Sequence, residues 1–153
     1  NKFGMNLSAT ISIFNINEFA DLLEFFLDMY IKQKETVGID YHKVAVFCNR
    51  VTIPKYYNLN ILSTEYRSKG LEKIKKLKEK INSLDIDIDR SFIESCTLVE
   101  SWCQEPQVEL TDLPSIALYQ IDKSDEYRNR SIKDYLPELY EELTRLDKQH
   151  NGS

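Results

Sequence analysis

The chain has 153 residues, of which 42% are hydrophobic and 29% charged, a composition typical of a folded globule and not of a disordered chain. Its formal net charge of −5 gives no overall attraction to nucleic acid or anionic lipid, so we predict no specific nucleic-acid partner. The longest apolar runs are far shorter than the ~20 residues of a membrane span, and no basic-then-apolar leader opens the chain, so we predict no membrane association.

The first predicted elements are a strand over residues 7 to 14 and a helix over residues 18 to 34. The apolar residues Leu7, Ala9, Ile11 and Ile13 alternate with polar ones, as in a strand with one buried face. After Asn15 and Asn17, which offer turn and N-cap chemistry, apolar residues recur at the spacing of one helix face.

The next run, Val44 to Cys48, is continuously apolar and predicts a strand buried on both faces. A strand, a helix and a second strand in this order predict a right-handed βαβ unit with parallel strands. Pro54 excludes helix just before it, and the alternation of Tyr57, Leu59 and Ile61 predicts a short extended piece.

The rest of the chain predicts helices. Apolar stripes mark a second helix with Leu71, Ile74, Leu77, Ile81 and Leu84, a third with Phe92, Cys96, Val99 and Trp102, and a last one with Leu136, Leu139, Tyr140, Leu143 and Leu146. Pro114 opens a weaker helical stretch between them, and Asp134 is the predicted N-cap of the last helix, with Pro137 in its first turn.

These elements predict a mostly helical α/β protein with two or three parallel strands, in which residues 1–84 hold the β/α units and 85–153 a helical C-terminal extension. Two parallel strands do not make a self-sufficient sheet, because each edge needs a further strand or cover. Together with a first residue that is Asn1 and not Met, this predicts a piece of a longer protein or a chain that needs another one.

The cysteines and histidines do not form a recognisable catalytic or metal motif. Cys96 and Cys103 are seven residues apart, which places both on one helix face where burial is favoured over zinc binding, and Cys48 ends a predicted core strand. An odd number of cysteines predicts a reducing compartment, and hence a cytoplasmic protein. Neither His42 nor His150 has a nucleophile nearby in sequence.

Two polar features remain as candidate sites. The lysine-rich segment from Lys69 to Lys80 lies opposite an apolar stripe, so we predict a solvated helix face there and not a nucleic-acid site. Asn15, Asn49 and Arg50 lie at the carboxyl ends of the predicted strands, where ligands of parallel α/β folds gather, although turn capping explains the asparagines equally well. Phosphate-binding glycine motifs do not occur.

Three segments resemble the late part of radical S-adenosylmethionine (SAM) proteins with a twitch domain, including phage-borne ones. They are Ile13-Phe14-Asn15, then Phe47-Cys48-Asn49-Arg50-Val51 with Pro54, Tyr56, Tyr57, Leu59, Ile61 and Leu62, and finally Asp125, Arg128, Asn129, Ser131, Asp134, Pro137, Glu138 and Leu139. The likeness covers most of residues 7 to 145. It implies that the chain is a fragment of a partial (β/α) barrel followed by a C-terminal extension.

The resemblance also implies SAM and a [4Fe-4S] cluster for the full-length family, with the SAM site at the mouth of the barrel near Asn15 and Asn49. The family binds its cluster through a Cys-x3-Cys-x2-Cys loop that this chain lacks, so we expect no cluster and no other cofactor on this chain alone. Its catalytic residues would belong to the missing N-terminal half or to another chain. The alternative is a stand-alone helical protein-interaction module without catalytic activity.

Overall fold

The computed structural model describes residues 4–37, 43–109 and 111–152. The elements of these ranges are the strands β1 (Gly4–Ile11) and β2 (Lys43–Arg50) and the helices α1 (Phe19–Val37), α2 (Thr64–Ser83), α3 (Arg90–Gln104), α4 (Leu113–Arg128), α5 (Ile132–Tyr135) and α6 (Pro137–Asn151). The mostly helical α/β class is confirmed. The first strand begins and ends three residues earlier than predicted, because the N–H of Ile13 turns to the carbonyl of Tyr57, 3.2 Å away.

The strands form a parallel pair whose register runs from Gly4 opposite Lys43 to Ile11 opposite Arg50, as the βαβ prediction requires. One face of this sheet is buried; its fully enclosed side chains are Ala9, Ile11, Val44 and Val46. On the other face Ser8 is exposed beside Phe47, whose side chain is 54% exposed. The prediction of a strand buried on both faces is therefore wrong, because the described helices leave one face uncovered.

The outer edge of β2 is closed by α3. The N–H of Val46 donates to the hydroxyl oxygen of Ser91 at 2.9 Å, and the Ser95 hydroxyl donates to the carbonyl of Val46 at 3.3 Å. A side chain of one helix thus satisfies each of the two backbone groups that Val46 directs away from β1.

The outer edge of β1 is different. Val51 donates its N–H to the carbonyl of Ile11 at 2.8 Å, so the odd-numbered residues of β1 face β2 and the even-numbered ones face outward. The carbonyl of Thr10 accepts from the side chain of Asn15 at 2.8 Å. Within the described ranges, the outward backbone groups of Asn6 and Ser8 have no hydrogen-bond partner.

The segment after β2 forms two 3₁₀ turns, Lys55–Tyr57 and Leu59–Ile61, and not the predicted extended piece. The side chain of Asn58 accepts from the N–H of Asn60 at 3.0 Å and so starts the second turn. Leu59 and Ile61 are both buried, which explains why their alternation imitates a strand although the backbone coils.

Helix α2 begins at a Ser63 cap, whose hydroxyl oxygen accepts from the N–H of Tyr66 at 3.1 Å. Its predicted stripe is confirmed for Ile74, Leu77 and Ile81, which are buried. Gly70 brings the helix onto the turn after β1, since a Cβ added there would lie 2.5 Å from the carbonyl oxygen of Ile16. Only glycine permits this approach.

The C-terminal helices pack as predicted, with one correction. Phe92 of α3 is fully buried and stacks on Phe26 and Tyr30 of α1, with ring centroids 5.7 and 6.2 Å apart. The predicted face of α6 is buried at Leu139, Leu143 and Leu146 and half-buried at Tyr140. Asp134, however, is not its N-cap: it lies inside α5, which Ser131 caps, and Leu136 precedes α6 without a side-chain cap.

One hydrophobic core runs through the segments 1–84 and 85–153. It includes Ile11 and Phe19 near the sheet, Ile74 in α2, Phe92 in α3 and Leu143 in α6. The helical extension therefore completes the core of the β/α units. Among the described helices, none combines the length and apolar character that crossing a lipid bilayer demands.

Candidate functional site

Asn15, a predicted cofactor-binding residue, holds the turn between β1 and α1. Its Oδ1 accepts from the N–H of Ser12 at 2.9 Å, and its Nδ2 donates to the carbonyl of Thr10 at 2.8 Å. Both polar atoms of the side chain thus have backbone partners. The turn-capping interpretation accounts for this geometry, and a SAM contact by Asn15 stays a prediction.

Asn49, the other predicted residue, lies near the end of β2 opposite Thr10 and is exposed on the uncovered face of the sheet. The structure therefore does not bring Asn15 and Asn49 into one hydrogen-bonded site. Of these two asparagines, Asn49 has its amide on the open face, where a ligand could reach it.

Arg50 is the last residue of β2, and its side chain contacts Glu105 and Trp102. Its Nη1 lies 2.5 Å from Oε2 of Glu105, and its guanidinium lies over the Trp102 ring, 5.5 Å from the centroid. Asn60 donates to the same carboxylate oxygen at 2.5 Å. Burial raises the pKa of Glu105, but the hydrogen bonds from Asn60 and Arg50 outweigh it and hold that pKa below its ordinary value.

Arg67 in α2 is fully buried, which sequence reasoning missed. Its Nη1 donates to the carbonyls of Trp102 and Cys103 at 3.2 and 3.1 Å and approaches Oδ1 of Asn60 at 3.5 Å. Burial lowers its pKa, while Cys103 and Glu105 act in the opposite direction. The guanidinium links the C-terminal end of α3 to α2 by hydrogen bonds, so its role is structural.

The three cysteines are free thiols that differ in burial. Cys96 and Cys103 are buried as predicted, and burial raises their pKa values to about 12 and about 11. Cys48 is only half-buried, against the prediction of a core residue, and burial also raises its pKa. Of the histidines, His150 lies in α6, and His42 lies outside the described residues.

The basic face of α2 is paired with acids of neighbouring helices to a larger extent than the solvated-face prediction implies. Lys69 contacts Glu138, Lys73 contacts Asp21, Lys78 contacts Glu100, and Lys80 contacts Glu24 and Asp28, with N–O distances of 2.5 to 3.0 Å. The two hydrogen bonds to Glu24 and Asp28 raise the pKa of Lys80. These lysines join α2 to α1, α3 and α6.

A cavity of about 330 Å³ lies beyond the carboxyl ends of the strands. Phe14, which follows β1, and Tyr57, which follows β2, form one wall, while Arg128 and Arg130 come from the junction of α4 and α5. Residues from the three segments quoted for the resemblance therefore meet around one space. Sequence reasoning missed this cavity, because no local pattern signals that segments far apart in the chain converge.

Comparison of the chain with protein-family models, with curated proteins and with solved structures found no match.

Proposed function

We propose that the chain is the C-terminal part of a radical SAM oxidoreductase-like protein, in which it supplies barrel wall and substrate-side surface. The cluster-binding loop would belong to preceding β/α units, in the same polypeptide or in a partner chain. The observation that supports this proposal is the unequal treatment of the two sheet edges, together with an exposed apolar flank on α1.

The open edge of β1 is suited to a further parallel strand. Asn6 and Ser8 direct backbone groups outward that no described residue satisfies, whereas α3 closes the edge of β2. Unpaired strand edges are usually covered or paired in native proteins. A preceding strand of a partial barrel would pair with β1, and β2 would be the last strand.

Helix α1 has an apolar flank that the described residues leave exposed. Leu22 is 45% and Phe25 67% exposed. At about 100° per residue, Leu22 and Phe25 lie about 100° and 40° around α1 from Asp21, on the side opposite to Glu24, which pairs with Lys80 of α2. A further helix beside α1 would bury Leu22 and Phe25, just as a further strand would pair with β1. Both open surfaces thus call for one additional β/α unit.

Closure of a barrel would also give the uncovered sheet face a role. Ser8, Thr10 and Asn49 are exposed there beside Phe47. In a (β/α) barrel this face lines the interior, and ligands bind where the strands end. Asn49 would then lie at the mouth, where the resemblance implies SAM; the cluster, when bound to the preceding units, supplies the reductive cleavage of SAM.

The test is to isolate, without oxygen, the native polypeptide or complex that contains this chain, and to measure its iron and its production of 5′-deoxyadenosine from SAM. Phe25→Asp, which places a charge on the open flank, should abolish SAM cleavage. Tyr127→Asp is the matched control, because Tyr127 is 92% exposed on α4. A native assembly without an iron–sulfur cluster would refute the proposal.

The interaction-module alternative is favoured by three exposed aromatic side chains of α4 and α5: Tyr119, Tyr127 and Tyr135 are 59%, 92% and 66% exposed. Tyrosine is enriched in protein interfaces. Under this alternative Tyr127→Asp releases the partner and Phe25→Asp does not, so the same pair of variants separates the two functions.

A further inference from the structure

We propose that the cavity at the carboxyl ends of the strands binds a small aromatic anion, a phosphate or carboxylate joined to a planar body. Its volume of about 330 Å³ is at the lower end of the range for small-molecule sites. The cavity is formed entirely by described residues of this chain, so the inference does not depend on the proposed function.

Two arginines provide the positive charge. The sequence contains six arginines, and four of them have acceptors: Arg50 binds Glu105, Arg67 binds backbone carbonyls, Arg90 binds Glu94 and Arg145 binds Glu142. By contrast, no described side chain forms a hydrogen bond or ion pair with Arg128 or Arg130, and both line the cavity. Planar guanidinium groups match the geometry of carboxylate and phosphate.

The acid in the cavity is already engaged. Among the described residues that line the cavity, Asp125 is the one carboxylate, and its Oδ2 accepts from the N–H of Ile132 at 2.6 Å. The turn between α4 and α5 is fixed further by Asn129, whose φ of 50° is left-handed, and by the N–H of Arg130, which donates to the carbonyl of Asp125 at 3.1 Å. The lining of the cavity therefore includes two guanidinium groups and one carboxylate, an excess of one positive charge.

The remaining wall is aromatic. The rings of Phe14 and Tyr57 meet edge to face, with centroids 5.0 Å apart and planes at 64°. Burial raises the pKa of Tyr57 although Arg128 acts against it, so the phenol stays protonated near neutral pH. Tyr135 completes the rim, and Ile121 and Ile132 are buried beneath it. A planar apolar body would contact these rings while its anionic group meets the arginines.

The probe is phenyl phosphate, titrated into the ¹⁵N-labelled 153-residue chain while amide shifts are followed by NMR. We expect saturable shifts at residues 124–135 and near Phe14 and Tyr57, with affinity at least tenfold higher than for inorganic phosphate under the same conditions. Equal affinity for the two probes, or shifts spread over the other basic residues, would overturn the proposal.

Variants separate the charged wall from the aromatic one. Arg128→Gln/Arg130→Gln should lower the affinity for phenyl phosphate at least tenfold, while Arg90→Gln, an exposed arginine of α3, should leave it unchanged. Tyr135→Ala should reduce the preference for phenyl phosphate over inorganic phosphate. Since all four side chains are exposed, the variants should fold. Unchanged binding by the double arginine variant would refute an anion site here.

Discussion

The two edges of the sheet are built on different principles. At β2 the backbone of Val46 is satisfied by Ser91 and Ser95, and Arg50 and Glu105 join the end of the strand to the segment after α3. At β1 the outward groups of Asn6 and Ser8 have no described partner. The contrast shows that α3 closes one edge of the sheet, whereas the described residues leave the other edge open.

The largest expected effect is a difference in unfolding free energy between a buried phenylalanine of α3 and an exposed one of α1. Phe92→Ala, on the closed side, removes a fully buried ring, and we expect a loss of about 3–5 kcal/mol of unfolding free energy. Phe25→Ala, at an exposed position of α1, should change this free energy by about 0.5 kcal/mol or less, as exposed positions do. Denaturant unfolding of both variants measures the difference. A large loss for Phe25→Ala would mean that α1 is already covered there.

Amide hydrogen exchange compares the two edges directly. The N–H of Val46 is bonded to Ser91, whereas those of Asn6 and Ser8 face outward. We expect the Val46 amide to exchange at least about a hundredfold more slowly, since exchange follows local opening. NMR on the isolated chain measures this ratio. Comparable protection of Ser8 and Val46 would contradict an open edge at β1.

The serine contacts can be removed without emptying the core. Ser91→Ala/Ser95→Ala leaves the N–H of Val46 without its partner, and we expect a loss of about 1–3 kcal/mol, the usual cost of a buried unsatisfied polar group. Ser101→Ala, at an exposed position of the same helix, is the control for helix propensity. Equal stability of the two variants would show that α3 closes the edge by apolar packing alone.

The smallest effect concerns the ion pair at the end of β2. Glu105→Gln should cost about 1 kcal/mol or less at pH 7, because the pair with Arg50 is partly exposed. The folded-state pKa of Glu105 is lowered, so its contribution is present above the ordinary carboxyl pKa and is lost as pH falls through the lowered value. The difference from the parent should therefore disappear at acidic pH, which denaturant unfolding at pH 7 and at acidic pH measures; Glu79→Gln, at an exposed position of α2, is the control for the substitution itself.

The local patterns predicted the helices because burial on a helix repeats every three to four residues. The stripes through Ile74, Leu77 and Ile81 in α2 and through Leu139 and Leu143 in α6 lie where predicted. The same reasoning failed at Phe47, since an apolar run does not reveal whether a second layer is present, and at Leu59, where burial in a 3₁₀ turn has the period of a strand.

The prediction of a ligand site at the carboxyl ends of the strands stays a prediction, and neither Asn15 nor Asn49 lines the cavity found there. The carboxyl ends of parallel strands pointed to Asn15 and Asn49, but Asn15 serves its own turn. The cavity with Arg128 depends on contacts between distant segments, which leave no periodic signal. The burial of Arg67 was unpredictable for the same reason. An arginine within a basic segment is usually exposed to solvent.

Arg67 also bears on the order in which the chain acquires its structure during synthesis. Its acceptors come from both sides of residue 84, because Ser63 and Asn60 precede that point and the carbonyls of Trp102 and Cys103 follow it. Enclosing the guanidinium before α3 has been made would leave a charge desolvated without those carbonyls. We therefore expect a nascent chain that ends near residue 84 to stay unfolded on the ribosome, and the β/α units to fold only after the helical extension has emerged.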